Sequence, residues 1–202
     1  MSSARHAVRI RIAVEADLPG ILSCLHSAFE PYRQAYTPVA WTATVLTLPT
    51  ARRRLRSMTV WVAVDRDGQV LGTIAAKATT SDHAHLRGMA VLPDYQEKGI
   101  ASALLDSAIA HARKEGQRCV TLETTEPLER ASQFYLRRGF RRSGRTRRWG
   151  GMRLIGFERI IATRSRRIAR SGSKRGSNLN PAPGGRPGSV SRSIAHSGPR
   201  LR

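Results

Sequence analysis

The sequence predicts a mixed α/β sandwich, a single sheet carrying helices on both faces. Three observations predict it. Short apolar runs at strand length alternate along the chain with segments of helical spacing. Asp67-Gly68 separates two of the strand-like runs as a hairpin turn. Gly116 and Gly139 close the two clearest helical segments.

Residues 8–13 alternate as a strand. Asp17 reads as the N-cap of a first helix, with Leu18, Ile21, Leu22 and Leu25 at helical spacing. Residues 40–48 read as a second helical stretch, and the polar residues 52–57 as its extension or as a loop. Residues 60–64 and 70–78 form the hairpin, and residues 86–92 a further strand. Residues 101–114 are a helix, apolar at Leu104, Leu105, Ala108 and Ile109. A strand at 120–124 and a helix at 128–138 follow. Residues 140–142 and 152–160 read as a final antiparallel pair, with 141–148 (RRSGRTRR) either a solvated turn or an attractor for an acidic acceptor.

A chain of 202 residues holds one ordinary domain and a tail. Its 40% hydrophobic content supports a core. No run approaches the ~18 apolar residues of a membrane helix, and the first thirteen residues lack the apolar stretch of a secretory signal, so the protein reads as soluble and cytoplasmic, without a membrane. Cys24 and Cys119 stand far apart and read as reduced thiols, and no cluster has metal-ligand spacing, so no metal is expected. The net charge is +21. Residues 163–202 hold nine Arg and one Lys with no acid, about half of that excess. Rich in Ser, Gly and Pro, that stretch reads as a disordered tail behind a domain spanning 1–162.

The chemistry concentrates in residues 86–116. A strand ending at Leu92-Pro93 leads into Gln96-Glu97-Lys98-Gly99-Ile100-Ala101 and then a helix. Unpaired N–H groups and the helix dipole at such an N-terminus suit a diphosphate. Gly99 lets the backbone come close, Ala101 keeps the helix start small, and Lys98 adds charge. The stretch has neither the GKS or GKT of a Walker loop nor the three glycines of a dinucleotide fingerprint.

Here the sequence resembles the GNAT superfamily of acyl-CoA N-acyltransferases. Gln96, Gly99 and Ala101 match its Gln/Arg-x-x-Gly-x-Gly/Ala pattern, after a strand ending Val91-Leu92-Pro93. A second signature, CVTLETTEP followed by a helix ending FYLRRGF, comes in the right order. The resemblance covers roughly residues 8–160. It implies two parallel strands, 85–92 and 119–124, that splay apart at their C-terminal ends with acetyl-CoA in the gap as acyl donor. The cofactor-binding residues would be Met89, Ala90 and Val91 along the strand, and Gln96, Glu97, Lys98, Gly99, Ile100 and Ala101 at the diphosphate. Gly88 fits a bulge that turns the Met89 N–H toward the thioester oxygen. The activity implied is acetyl transfer to the primary amine of a small molecule or protein by direct attack, and the resemblance favours a homodimer.

Three catalytic candidates follow. Tyr135 occupies the position of the family's general acid, with Phe134 and Leu136 beside it to serve as core instead, against a reading as a helix tyrosine packed on the sheet. His85 starts the strand where family members place a base, and residues 85, 87 and 89 share one face by alternation; it also sits in the polar run SDHAH. Glu123 on the neighbouring strand is the rival base, or the partner of a surface arginine. Glu30 and Tyr32 line an acceptor pocket in this reading, Arg137 and Arg138 meet a 3′-phosphate or complement a helix end, and Trp149 is exposed while Trp41 and Trp61 are core. Two other classes compete: a non-catalytic CoA-binding module, and a basic nucleic-acid-associated protein. The second lacks a recognition motif, and its tail would give only salt-sensitive, unspecific contact.

Overall fold

The computed structural model describes residues 8–161. The tail reading of 163–202 therefore lies outside the described residues. Seven strands form one sheet: β1 (Arg9–Ile12), β2 (Thr59–Val64), β3 (Val70–Ala78), β4 (His83–Val91), β5 (Cys119–Thr125), β6 (Arg141–Trp149) and β7 (Met152–Ile160). Their order is β1-β2-β3-β4-β5-β7-β6. Only β4 and β5 pair in parallel; every other neighbour is antiparallel.

Among the described residues five α-helices accompany the sheet: α1 (Leu18–Phe29), α2 (Pro38–Val45), α3 (Leu48–Ser57), α4 (Ile100–Lys114) and α5 (Glu129–Arg137). The central strands read as continuous apolar runs because both faces are covered. Along β2, Val60, Val62 and Val64 pack with Ile21, Cys24 and Leu25 of α1. Trp61 and Ala63 turn the other way, onto Leu104, Leu105 and Ala108 of α4. Each fully buried leucine there contributes about 2 kcal/mol of hydrophobic stabilisation.

Where structure and expectation differ, the cause is local. The stretches at 40–48 and 52–57 are two helices, separated where Leu46 takes φ 63°. Thr37 caps α2 by accepting from Ala40 N, and Pro38 and Pro49 sit in first turns, where a missing N–H costs nothing. Asp17 holds the N-cap position of α1 without capping it. Its carboxylate accepts instead from Val14 N–H at 2.7 Å and both Nη atoms of Arg11 at 2.6 and 2.7 Å, and the Arg11 bonds hold its pKa below the ordinary value. The 141–148 cluster is neither turn nor loop but the edge strand β6, paired with β7 and irregular between Arg142 and Thr146. Charged side chains on an edge strand are compatible with pairing, because its outer surface stays in water.

Candidate functional site

β4 and β5 pair from His83↔Cys119 to Leu86↔Leu122 and no further. Each strand continues, β4 against β3 as far as Gly72↔Val91 and β5 against β7 as far as Thr125↔Leu154. The two strands therefore part, and a cleft of about 1110 Å³ passes through the gap. At its throat β4 bulges. Arg87 lies opposite Ala75 and Ala90 opposite Thr73, so Gly88 and Met89 together face Ile74. Gly88 has φ 61°, a left-handed conformation that favours glycine.

The bulge corrects the alternation expected from sequence. Cross-strand partners share a face, so Arg87 and Ala90 both lie on the α1 side. Met89 packs against the opposite, α4-side cluster. Residues 85 and 87 thus share a face that residue 89 does not. The ladder also fixes backbone direction: Leu92 N–H donates to Leu71 O at 2.9 Å, so the N–H groups of Val91 and Met89 point to the open side. The Val91 carbonyl accepts from Gln96 Nε2 at 3.2 Å.

On the α4 side the cleft is built mainly from backbone. Glu97 (φ 61°) and Gly99 (φ 83°) are both left-handed, and α4 begins at Ile100 with no side-chain cap. A Cβ built on Gly99 meets nothing within 4 Å. The first amides of α4, at Ile100, Ala101 and Ser102, have no intrahelical acceptor, and Gly99, Ala101 and Ser102 line the cleft, an arrangement of donors that fits a diphosphate. The side chains contribute less than expected. Ile100 is core. The Lys98 ammonium sits 5.0 Å over the Tyr95 ring, and Glu97 accepts from Arg130 at 2.7 Å. Arg137 and Arg138 line the cleft; Arg138 pairs with Asp106, and its Nε is buried with no partner among the described residues.

Tyr135 stands beside this end on α5. Its ring is 6% exposed and packs against Phe140 and Phe157, while the residue lines the cleft. Phe134 is only half-buried and Leu136 is exposed, so Tyr135 itself supplies the core contact those neighbours were expected to make. Burial raises the pKa of its phenol, which carries its proton throughout the physiological range.

On the α1 side the cleft is built from side chains. His85 Nδ1 lies 3.1 Å from Thr121 Oγ1, and burial lowers its pKa, so the ring is mostly neutral at pH 7. Glu123 both faces the cleft and holds an arginine: its two oxygens accept from Arg147 Nε and Nη2 at 2.8 and 2.7 Å. Those bonds lower its pKa and occupy the lone pairs a base would use. Tyr36 joins its hydroxyl to Thr125 Oγ1 across the cleft floor. Tyr32 and the exposed Trp149 line the wall, whereas Glu30 pairs with His26 outside it. Trp61 is core and Trp41 is half-buried beneath the Arg33 guanidinium.

The profile of the Acetyltransferase (GNAT) family matches residues 24–140, more than half of the chain and the whole of this cleft's strand–loop–helix frame. The chain belongs to the GNAT acetyltransferase family. Two curated relatives match part of this GNAT domain. A Xenopus tropicalis protein described as probable N-acetyltransferase camello is 36% identical over 85 residues, covering 41% of this chain and 38% of its own. The Danio rerio N-acetylaspartate synthetase is 40% identical over 87 residues, covering 43% and 30%. The match therefore spans 38% of the length of the first relative and 30% of the second. Among solved structures, a Staphylococcus aureus GNAT acetyltransferase superposes with TM-score 0.66 at 18% identity, over 77% of this chain and 100% of its own. The PaiA N-acetyltransferase of Thermoplasma acidophilum, solved with coenzyme A, gives the same TM-score and identity over 77% and 99%. At these identities the likeness shows the GNAT fold. Among the described residues no helix is long and apolar enough to cross a membrane.

Sequence reasoning missed Arg54 and Arg87, which line the α1 side of the cleft, and the first-turn amide of Ser102. Ser102 was legible as the next residue of the same helix start. Arg54 had no local signal, because it lies in the polar run Arg52-Arg53-Arg54 on α3.

Proposed function

We propose that this chain is an N-acetyltransferase that moves an acetyl group from acetyl-CoA to a primary amine by direct attack, with residues 1–162 as the catalytic unit. The observation that carries the reading is the bulge at Gly88-Met89 in the gap between β4 and β5, beside the uncapped start of α4. When bound, acetyl-CoA supplies an activated thioester. Met89 and Val91 offer it strand-like backbone groups, with Ala90 held between them against β3. Gln96, Glu97, Lys98, Gly99, Ile100 and Ala101 form the cradle of the diphosphate, chiefly through N–H groups.

The Met89 N–H is aimed where negative charge develops on the acyl oxygen. His85, neutral at pH 7, takes the proton released by the amine, directly or through one water. Glu123 is a weaker base than His85, because Arg147 holds it ionised; it supports a positive charge on the imidazole instead. Tyr135 donates its hydroxyl to the departing sulfur. Its raised pKa makes it a weaker acid than a free phenol, so it gives up its proton only as negative charge gathers on the sulfur.

Calorimetric titration of acetyl-CoA into the full chain tests the reading, followed by an assay of thiol release against a panel of amines. Saturable one-site binding and amine-dependent thiol release are expected. Absence of binding refutes the assignment of the cleft.

A further inference from the structure

Arg54 reaches from α3 to the throat of the cleft. A Cβ at residue 88 would collide with Arg54 Nη1 and stand 3.3 Å from its Cζ, so the guanidinium occupies the space that Gly88 leaves empty. The side chain is half-buried, yet among the described residues it makes no hydrogen bond and no ion pair. Its charged neighbours on this side of the sheet do not compensate it. Arg87 repels it, and Arg147 has taken Glu123, the carboxylate that faces this end. His85 is mostly neutral. Burial and the Arg87 charge lower the Arg54 pKa to about 10, so it remains a cation at pH 7.

A half-buried guanidinium with no counter-charge is destabilising by itself. Its five donors form a planar fork that matches a carboxylate. We propose, building on the acetyl-transfer reading, that the acceptor is an amine bearing a carboxylate, such as an α-amino acid, held by Arg54 at the Gly88 bulge with Arg87 adding attraction. In an α-amino acid the amine lies two bonds from the carboxylate carbon. A carboxylate on Arg54 therefore leaves the amine at the bulge, next to the Met89 N–H and on the His85 side of the sheet. A polycationic acceptor is disfavoured at the same place by the same two arginines.

The test compares full-length wild type, Arg54→Gln and Arg54→Lys with acetyl-CoA and the common α-amino acids, each against its own primary amide. The expected result is a preference of about 10²-fold in kcat/KM for acid over amide. Arg54→Gln loses it through KM, Arg54→Lys restores part of it, and the amide rates and the acetyl-CoA affinity are unchanged. Equal turnover of acids and amides by wild type overturns the proposal and leaves acetyl transfer standing. So does an equal loss on both in Arg54→Gln. A wild-type preference for succinyl-CoA over acetyl-CoA that vanishes in Arg54→Gln also overturns it, by assigning the guanidinium to the acyl chain. If acetyl-CoA binds but no amine is acetylated, the acetyl-transfer reading fails. Calorimetry with N-acetyl amino acids on the CoA complex then decides: binding that requires Arg54 supports carboxylate recognition, and none refutes it.

Discussion

The two ends of the cleft are made of different material. The end at α4 is backbone: two left-handed residues, an uncapped helix and a strand edge without a partner. The end facing α1 and α3 is side chain: Arg54, His85, Arg87, and Glu123 bound to Arg147. Backbone donors are the same whatever residues carry them, so the first end suits a ligand that never changes. Side chains vary one by one, so the second suits a ligand that differs between members of one fold. Mutations at the first end should change cofactor handling, and mutations at the second should change acceptor handling.

Four substitutions break or sharpen that division. Tyr135→Phe, at the junction of the two ends, should lower kcat by about 10²-fold or more with acetyl-CoA affinity retained. A wild-type kcat under chemistry-limited conditions removes the acid role. Next comes Gly99→Val. A branched residue at φ 83° is strained by about 1–3 kcal/mol and fills diphosphate space. Acetyl-CoA should bind about 10- to 100-fold more weakly by calorimetry, and unchanged affinity would remove the cradle from the backbone end.

His85→Ala should lower kcat/KM for the amine about tenfold, below the usual range because a water can carry the proton. The pH profile checks this more sharply. Burial lowers the His85 pKa, so the neutral base form persists to below the ordinary ~6.5, and the wild-type rate should fall only on the acid side of that value. The variant should lose this acid limb; if the limb persists unchanged, another group is the base. The smallest effect belongs to Glu123→Gln. An exposed pair such as Glu123–Arg147 contributes roughly 0–1 kcal/mol, so kcat should change by less than about fivefold. A larger loss would move the base role from His85 to Glu123.

Most of the backbone end was legible in the sequence, and most of the side-chain end was not. Gly88 inside a strand and Gly99 before a helix stand where only glycine takes a positive φ without strain, and the helix start after Pro93 can be read locally. Arg54 cannot, because its burial depends on Gly88, thirty-four positions away, being glycine. The face of Met89 was misread for a related reason: one extra residue in a bulge reverses every later side chain of the strand. The strand β6 was hidden by its composition. Residues 141–148 look like a solvated turn, and only pairing with Met152–Ile160 makes them a strand. The helix α3 was obscured likewise, since a run of arginines carries no apolar stripe beyond Leu48, Ala51 and Leu55.

The parting of β4 and β5 has a mechanical consequence. Four residue pairs at one end, His83↔Cys119 to Leu86↔Leu122, are all the ladder that joins a four-stranded panel, β1 to β4, to a three-stranded one, β5, β7 and β6. The sheet is a folding screen with its pin at the bottom, and the core shared by Leu104, Leu105, Val120, Tyr135 and Phe157 braces the two panels from one side while the gap between them stays open.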